Sequence, residues 1–205
     1  MHLVWDWNGT LLDDFHIVVE STNAAFVHAG GQPISADRHR RNFRRPIIDF
    51  YSDELGRRLD EPEFVRLNDV FHNHYRAAMI SCALAADAHD AMASWNGTQS
   101  LLSMWYHDEL IAAVGRFGLS FARVDGSREF REHKAEALAE HLDELKIKGE
   151  DAVLIGDSID DAHAAEAAGA RCVLYAGGFT DPDVLRGHGA PVADTLTAAV
   201  LLALR

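Results

Sequence analysis

Cysteine is nearly missing from these 205 residues: Cys82 and Cys172 stand far apart, show no metal-type spacing, and cannot define a disulfide framework. A reduced compartment is the simpler setting for them. Repeats, low-complexity stretches and long linkers are absent too. No apolar run is long enough to span a bilayer, and a first strand beginning at His2 leaves no room for a cleavable signal, so a soluble cytoplasmic chain is expected. Positive charge is also in short supply. Lys and Arg total 19 against 32 Asp and Glu, and the formal charge of −13 argues against a nucleic-acid backbone or an anionic membrane as general partner. Lysine is the scarcest cation, with no occurrence before Lys134. An anionic substrate would therefore need local positive charge.

What is present centres on the first ten residues. His2-Leu3-Val4-Trp5 reads as a short strand suited to a buried parallel sheet, and it runs directly into Asp6. The C-terminal ends of such strands are where open α/β sheets place ligands. Gly9 permits a sharp turn, and Thr10 can offer its hydroxyl to an anion held there. Alone, Asp6 could equally terminate a strand. The pattern recurs downstream, where the strand Ala152 to Gly156 leads into Asp157, Asp160 and Asp161. Clustered carboxylates repel unless a divalent cation lies among them, and their oxygens suit Mg²⁺.

Between these strands the periodicity changes. Phe15, Val18, Val19, Thr22, Ala25, Phe26 and Ala29 recur at helical spacing, and further helices are predicted after Ser35, over Ile47 to Leu55 and from about Glu61 to Ala78. Strands are predicted at Thr98 to Ser103, Phe121 to Asp125 and Cys172 to Tyr175. Helices are predicted at Tyr106 to Phe117, Lys134 to Leu145, Asp160 to Ala168, after Asp181, and Thr195 to Leu204. The expected fold is a Rossmann-like α/β core with helices on both faces, formed by residues 1–13 and 89–205, and an inserted helical domain at 14–88.

Four separated motifs, carried by Asp6, Ser103, Lys134 and Asp157 with Asp161, occur in an order that resembles the haloacid dehalogenase (HAD) superfamily over nearly the whole chain. Within it the chain looks like the phosphoglycolate-phosphatase-like group. The resemblance implies a Mg²⁺-dependent phosphatase acting on a small phosphorylated metabolite, with the helical insertion as a cap that closes over the site. Asp6 would be the nucleophile that accepts the phosphoryl group. Gly9, Thr10, Ser103 and Lys134 would hold phosphoryl oxygens, while Asp6, Asn8 through its backbone carbonyl, Asp157 and Asp161 would hold the metal. For Ser103 a helix N-cap is the ordinary alternative, and for Asp160 and Asp161 favourable charge at a helix N-terminus. Arg44 and Arg45, with Arg40 and Arg41, form a basic cluster in the insertion that could bind a substrate anion or form a solvated face paired with nearby acids.

One position departs from the family pattern. Asn8 stands where most such phosphatases carry an acid/base Asp, and its side chain cannot shuttle a proton. Such help is typically worth about 10² to 10⁴ in rate. A weakly active phosphate-binding or regulatory protein is therefore the alternative. A haloacid dehalogenase would not need the acids at 157 and 161. A phosphonoacetaldehyde hydrolase needs a cap lysine, which this chain lacks, and a sugar phosphomutase needs the missing Asp.

Overall fold

The computed structural model describes residues 1–128 and 133–205. In chain order, strand β1 (His2–Trp5) is followed by helices α1 (Phe15–His28), α2 (Ala36–Asn42), α3 (Ile47–Glu54), α4 (Glu61–Ala78) and α5 (Ala88–Ser94). Then come β2 (Thr98–Tyr106), α6 (His107–Arg116), β3 (Val124–Ser127), α7 (Ala135–Leu145), β4 (Ala152–Gly156) and α8 (Ile159–Ala168). The chain ends with β5 (Arg171–Tyr175), α9 (Pro182–His188), β6 (Val192–Ala193) and α10 (Leu196–Ala203).

The six strands form one parallel sheet in the order β3-β2-β1-β4-β5-β6. All four residues of β1 are buried, because a central parallel strand meets protein on both faces. β1 pairs with β2, His2 opposite Thr98, and with β4, His2 opposite Ala152. The winding thus changes direction at β1, and Asp6 and Asp157 directly follow the two strands that meet there. This switch point is where an open α/β sheet leaves a crevice for ligand.

The chain divides into two compact units, Met1–Leu12 with Leu84–Arg205, and Asp13–Ala83. The boundaries drawn from sequence differ from these by one residue at the first junction and five at the second. Ala85 N–H donates to the Leu11 carbonyl at 2.9 Å, tying the returning chain to the α/β unit before α5 begins. Asp87 then accepts from the backbone and hydroxyl of Thr197 at 2.8 and 2.9 Å, capping the start of α10.

In the α/β unit, Val4, Leu102, Leu138, Leu142 and Leu154 form one buried cluster. The helical unit has its own core of Phe26, Phe50, Tyr51, Leu59 and Leu67, with Phe26 and Tyr51 edge-on at 5.0 Å. His39 lies within this unit, 1% exposed, stacked on Phe43 at 5.3 Å and edge-on to Phe50 at 5.2 Å. Its ring nitrogens have no hydrogen-bond partner among the described residues.

Several strand assignments differ from the sequence reading. β2 continues past Ser103 to Tyr106, with an irregularity in its pairing to β3 between Leu102 and Tyr106. β3 starts at Val124 rather than Phe121, although Ala122 and Arg123 already bond to Gln99 and Leu101 of β2. β6 was not foreseen, since two residues carry no periodicity.

Candidate active site

Asp6 extends the β1 ladder by one residue, its N–H donating to the Ile155 carbonyl at 2.9 Å, and its side chain is almost fully buried. Lys134, the residue before α7, sends its ammonium to Asp6 Oδ1 at 2.5 Å and also to Asp161 Oδ1. The lysine backbone is held as well, its N–H donating to Asp160 Oδ2 at 3.1 Å. Asp160 therefore anchors the lysine's own turn.

Local sequence fixes the two downstream acids. Ser158 and Asp161 form a capping box at the start of α8: Asp161 N–H donates to Ser158 Oγ at 3.3 Å, and Ser158 N–H to Asp161 Oδ2 at 3.0 Å. The helix-terminus role expected as an alternative for Asp161 thus coexists with its contact to Lys134. Asp157 accepts from Thr10 Oγ1 at 3.3 Å and from Phe179 N–H at 2.6 Å. Gly9 has φ +72°, and a Cβ there would lie 2.5 Å from Asp157 Oδ2. At Gly178 the corresponding distance is 2.1 Å, so both turns need glycine to let the backbone approach the carboxylate.

Asp6, Asp157 and Asp161 each offer a carboxylate oxygen, and these atoms lie within 4.8 Å of one another. Burial pushes the Asp6 carboxyl up to about 6, with the Asp161 charge adding to the effect and Lys134 opposing it. Burial and the charges of Asp6 and Asp161 raise Asp157 well above the usual carboxylate range. Burial works against the Lys134 ammonium, yet Asp161 and Asp6 outweigh it and hold the lysine charged. One ammonium faces three buried carboxylates. A divalent cation fits this donor set in both charge and oxygen chemistry.

Ser103 and Asn8 meet in the C-terminal half of β2, Ser103 Oγ donating to Asn8 Oδ1 at 3.2 Å and accepting from Trp105 N–H at 3.0 Å. Helix α6 starts only at His107, which removes the N-cap reading of Ser103. Thr10 was expected to offer its hydroxyl to an anion. In the structure that hydroxyl lies 3.4 Å from Asp6 Oδ2 and 3.3 Å from Asp157 Oδ1, so it buttresses the acids.

The α/β unit thus gathers Asp6, Asn8, Gly9, Thr10, Ser103, Lys134, Asp157 and Asp161 at the ends of β1, β2 and β4. Arg44 and Arg45 lie in the helical unit, where Arg44 is exposed and ion-paired with Asp53. Arg40 sits over the Phe15 ring at 4.1 Å. Sequence reasoning missed Phe179 and Gly178. Gly177-Gly178 signalled a turn, but nothing in a side chain announces a backbone N–H donor.

A family model described as HAD-hydrolase-like matches residues 130–199. No protein of curated function matches the chain by sequence. Similar solved structures include a haloacid dehalogenase-like family hydrolase from Streptococcus pneumoniae, with 18% identity, 100% of this chain and 98% of that one covered, and a TM-score of 0.85. A predicted phosphatase from Clostridium acetobutylicum matches with 17% identity, coverage of 99% and 97%, and a TM-score of 0.85. A predicted phosphoglycolate phosphatase from Haemophilus somnus matches with 16% identity, coverage of 98% and 96%, and a TM-score of 0.77. At these identities the likeness is one of fold, and that fold is the α/β architecture expected from the motifs. The match at residues 130–199 takes in Lys134, Asp157 and Asp161.

Proposed function

We propose that this chain is a Mg²⁺-dependent phosphatase of small phosphorylated metabolites that works through an aspartyl-phosphate on Asp6. The observation that supports this most is the buried cluster of Asp6, Asp157 and Asp161 around the Lys134 ammonium. Asp6, Asp157, Asp161 and the Asn8 carbonyl would hold the ion, which when bound supplies positive charge to the carboxylates and to the phosphoryl oxygens. Lys134 orients Asp6 by one oxygen, and Oδ2 is the atom that attacks phosphorus while the bond to the leaving oxygen breaks. Water then attacks the phosphorus, releasing phosphate and regenerating the carboxylate. Ser103, fixed by Trp105 N–H, presents its hydroxyl to a phosphoryl oxygen in exchange for Asn8. The helical unit is the cap, with Arg44 and Arg45 offering charge to a second anionic group.

Asn8 has no proton to give a departing oxygen and no basic atom to take one from water. Acyl and aryl phosphates, whose leaving oxygens need little protonation, are therefore the favoured substrates. Phosphate release from acetyl phosphate and an aryl phosphate, with and without Mg²⁺, tests the reading. Wild type should be slow but metal-dependent. Asn8→Asp should gain about 10² or more on alkyl phosphates, and Asp6→Asn should be inert. Activity that survives Asp6→Asn would sink the mechanism.

The Ser103 to Asn8 hydrogen bond also favours a second reading, a phosphate-binding or regulatory protein without turnover. Binding of phosphate with no hydrolysis by wild type or Asn8→Asp would select it. Chloride release from a haloacid without Mg²⁺ would select a dehalogenase, which the three clustered acids disfavour.

A further inference from the structure

Away from the acids, the α/β unit contains a second buried polar assembly that the proposed reaction does not use. His141 Nδ1 lies 2.7 Å from Asp125 Oδ2, His141 Nε2 lies 2.7 Å from Ser100 Oγ, and Ser100 Oγ lies 2.7 Å from His2 Nε2. His2 Nδ1 continues to Thr98 Oγ1, also at 2.7 Å. His2, Ser100 and His141 are each at most 2% exposed. The chain joins β1, β2, β3 and α7.

Its proton arrangement follows from donor counting. The Asp125 carboxylate, which also accepts from Arg123, takes a proton from no neighbour but can only accept hydrogen bonds, so His141 carries its hydrogen on Nδ1. A neutral His141 then accepts at Nε2 from the Ser100 hydroxyl. Ser100 oxygen in turn accepts from His2 Nε2–H, and His2 Nδ1 accepts from Thr98. Burial lowers both imidazoles, His2 to about 4, which keeps them neutral near pH 7. The two histidines are thereby locked in opposite tautomers.

The location gives this chain a mechanical consequence. His2, Val4 and Asp6 point to one face of the strand, and Lys134, Leu138 and His141 lie along one face of the helix. Asp6 meets Lys134 at one end, and Val4 clusters with Leu138 and Leu142 between. His2 reaches His141 through Ser100 at the other end. We infer that His141 is a positioning residue for Lys134: its hydrogen bonds to Ser100 and Asp125 latch α7 to β2 and β3 and, through Ser100 and His2, to the strand that leads to Asp6, fixing how far along that strand the ammonium reaches. Its effect on turnover rests on the phosphatase reading, whereas the latch does not.

Imidazole ¹⁵N spectra of the full chain, read together with amide exchange in wild type and Ser100→Ala, test it. Wild type should show His141 as the Nδ1–H tautomer and His2 as the Nε2–H tautomer. Ser100→Ala should switch His2 to Nδ1–H, donating to Thr98, and should speed exchange of the Leu138 amide at least tenfold while α8 is unchanged. Its kcat on acetyl phosphate should fall with KM unchanged. Any other tautomer pair in wild type, or unaltered exchange at Leu138, overturns the latch. An intact latch in a protein without phosphatase activity would count against the proposed function and leave the latch standing.

Discussion

Lys134 is the residue on which the site's electrostatics turn. Without it, Asp6 and Asp161 would be buried with no countercharge, and breaking a buried pair in this way typically costs about 3–5 kcal/mol. Lys134→Met should therefore lower the unfolding free energy by that order in metal-free buffer, as read from urea unfolding. If the acids hold a divalent ion, added Mg²⁺ should restore part of the loss, because a ligand that binds the folded state stabilises it. No recovery with Mg²⁺ would argue against metal at these carboxylates. At this scale the sequence was informative where a residue's type and its place at the end of a predicted element mark it out. Asp6, Lys134, Asp157 and Asp161 were nameable because acids after apolar strands, and the first lysine of a chain that otherwise favours arginine, are visible in the sequence. Phe179 was not, because its contribution is an N–H that almost any residue possesses. The relay through Ser100 was hidden for another reason, since its members lie 41 and 98 residues apart along the chain.

Among the elements, α8 carries the clearest local code. Ser158 caps it while orienting Asp161, so Ser158→Ala removes one of the helix's terminal partners and loosens the acid together. A stability loss of about 1 kcal/mol is expected from the cap alone, measurable by thermal or denaturant unfolding. A loss below a few tenths would mean that the reciprocal Asp161 bond holds the helix start unaided. The helices predicted from sequence were placed to within about a residue, although α5 (Ala88–Ser94) was not predicted. α4 occupies the predicted span from Glu61 to Ala78, since an N-cap aspartate and a sustained apolar face mark it in the sequence itself. The length of β2 and the start of β3 depend on what lies beside them. Pairing with a neighbour, rather than any preference of Trp105 or Arg123, decides where those strands begin and end.

The whole molecule should be acid-sensitive through histidines that are buried uncharged. Burial, assisted by the charge of Arg40, lowers His39 from 6.5 to about 4. Between those values the unfolded chain binds the proton and the folded chain does not, so stability is full above the unfolded pKa and falls as pH drops toward 4. A difference of this size is worth about 3 kcal/mol. Unfolding free energy should decline over this range, and His39→Phe should flatten the decline. An unchanged acid limb in that variant would remove His39 as its source. His2 contributes in the same direction.

The place of the helical insertion also bears on how the molecule comes into being. The strand that leads to Asp6 is made before both of its neighbours, since its β2 partner begins at Thr98 and its β4 partner at Ala152. The bonds that complete the site span 128 residues from Lys134 to Asp6 and 147 from Asp157 to Thr10. Throughout synthesis of the intervening segment the central strand has no sheet to join, while the helical unit already possesses a core of its own. Contacts of such separation slow folding. Birth order thus runs against assembly order: the inserted helices can settle while the chain is still growing, and a strand made before them is among the last elements to find its place.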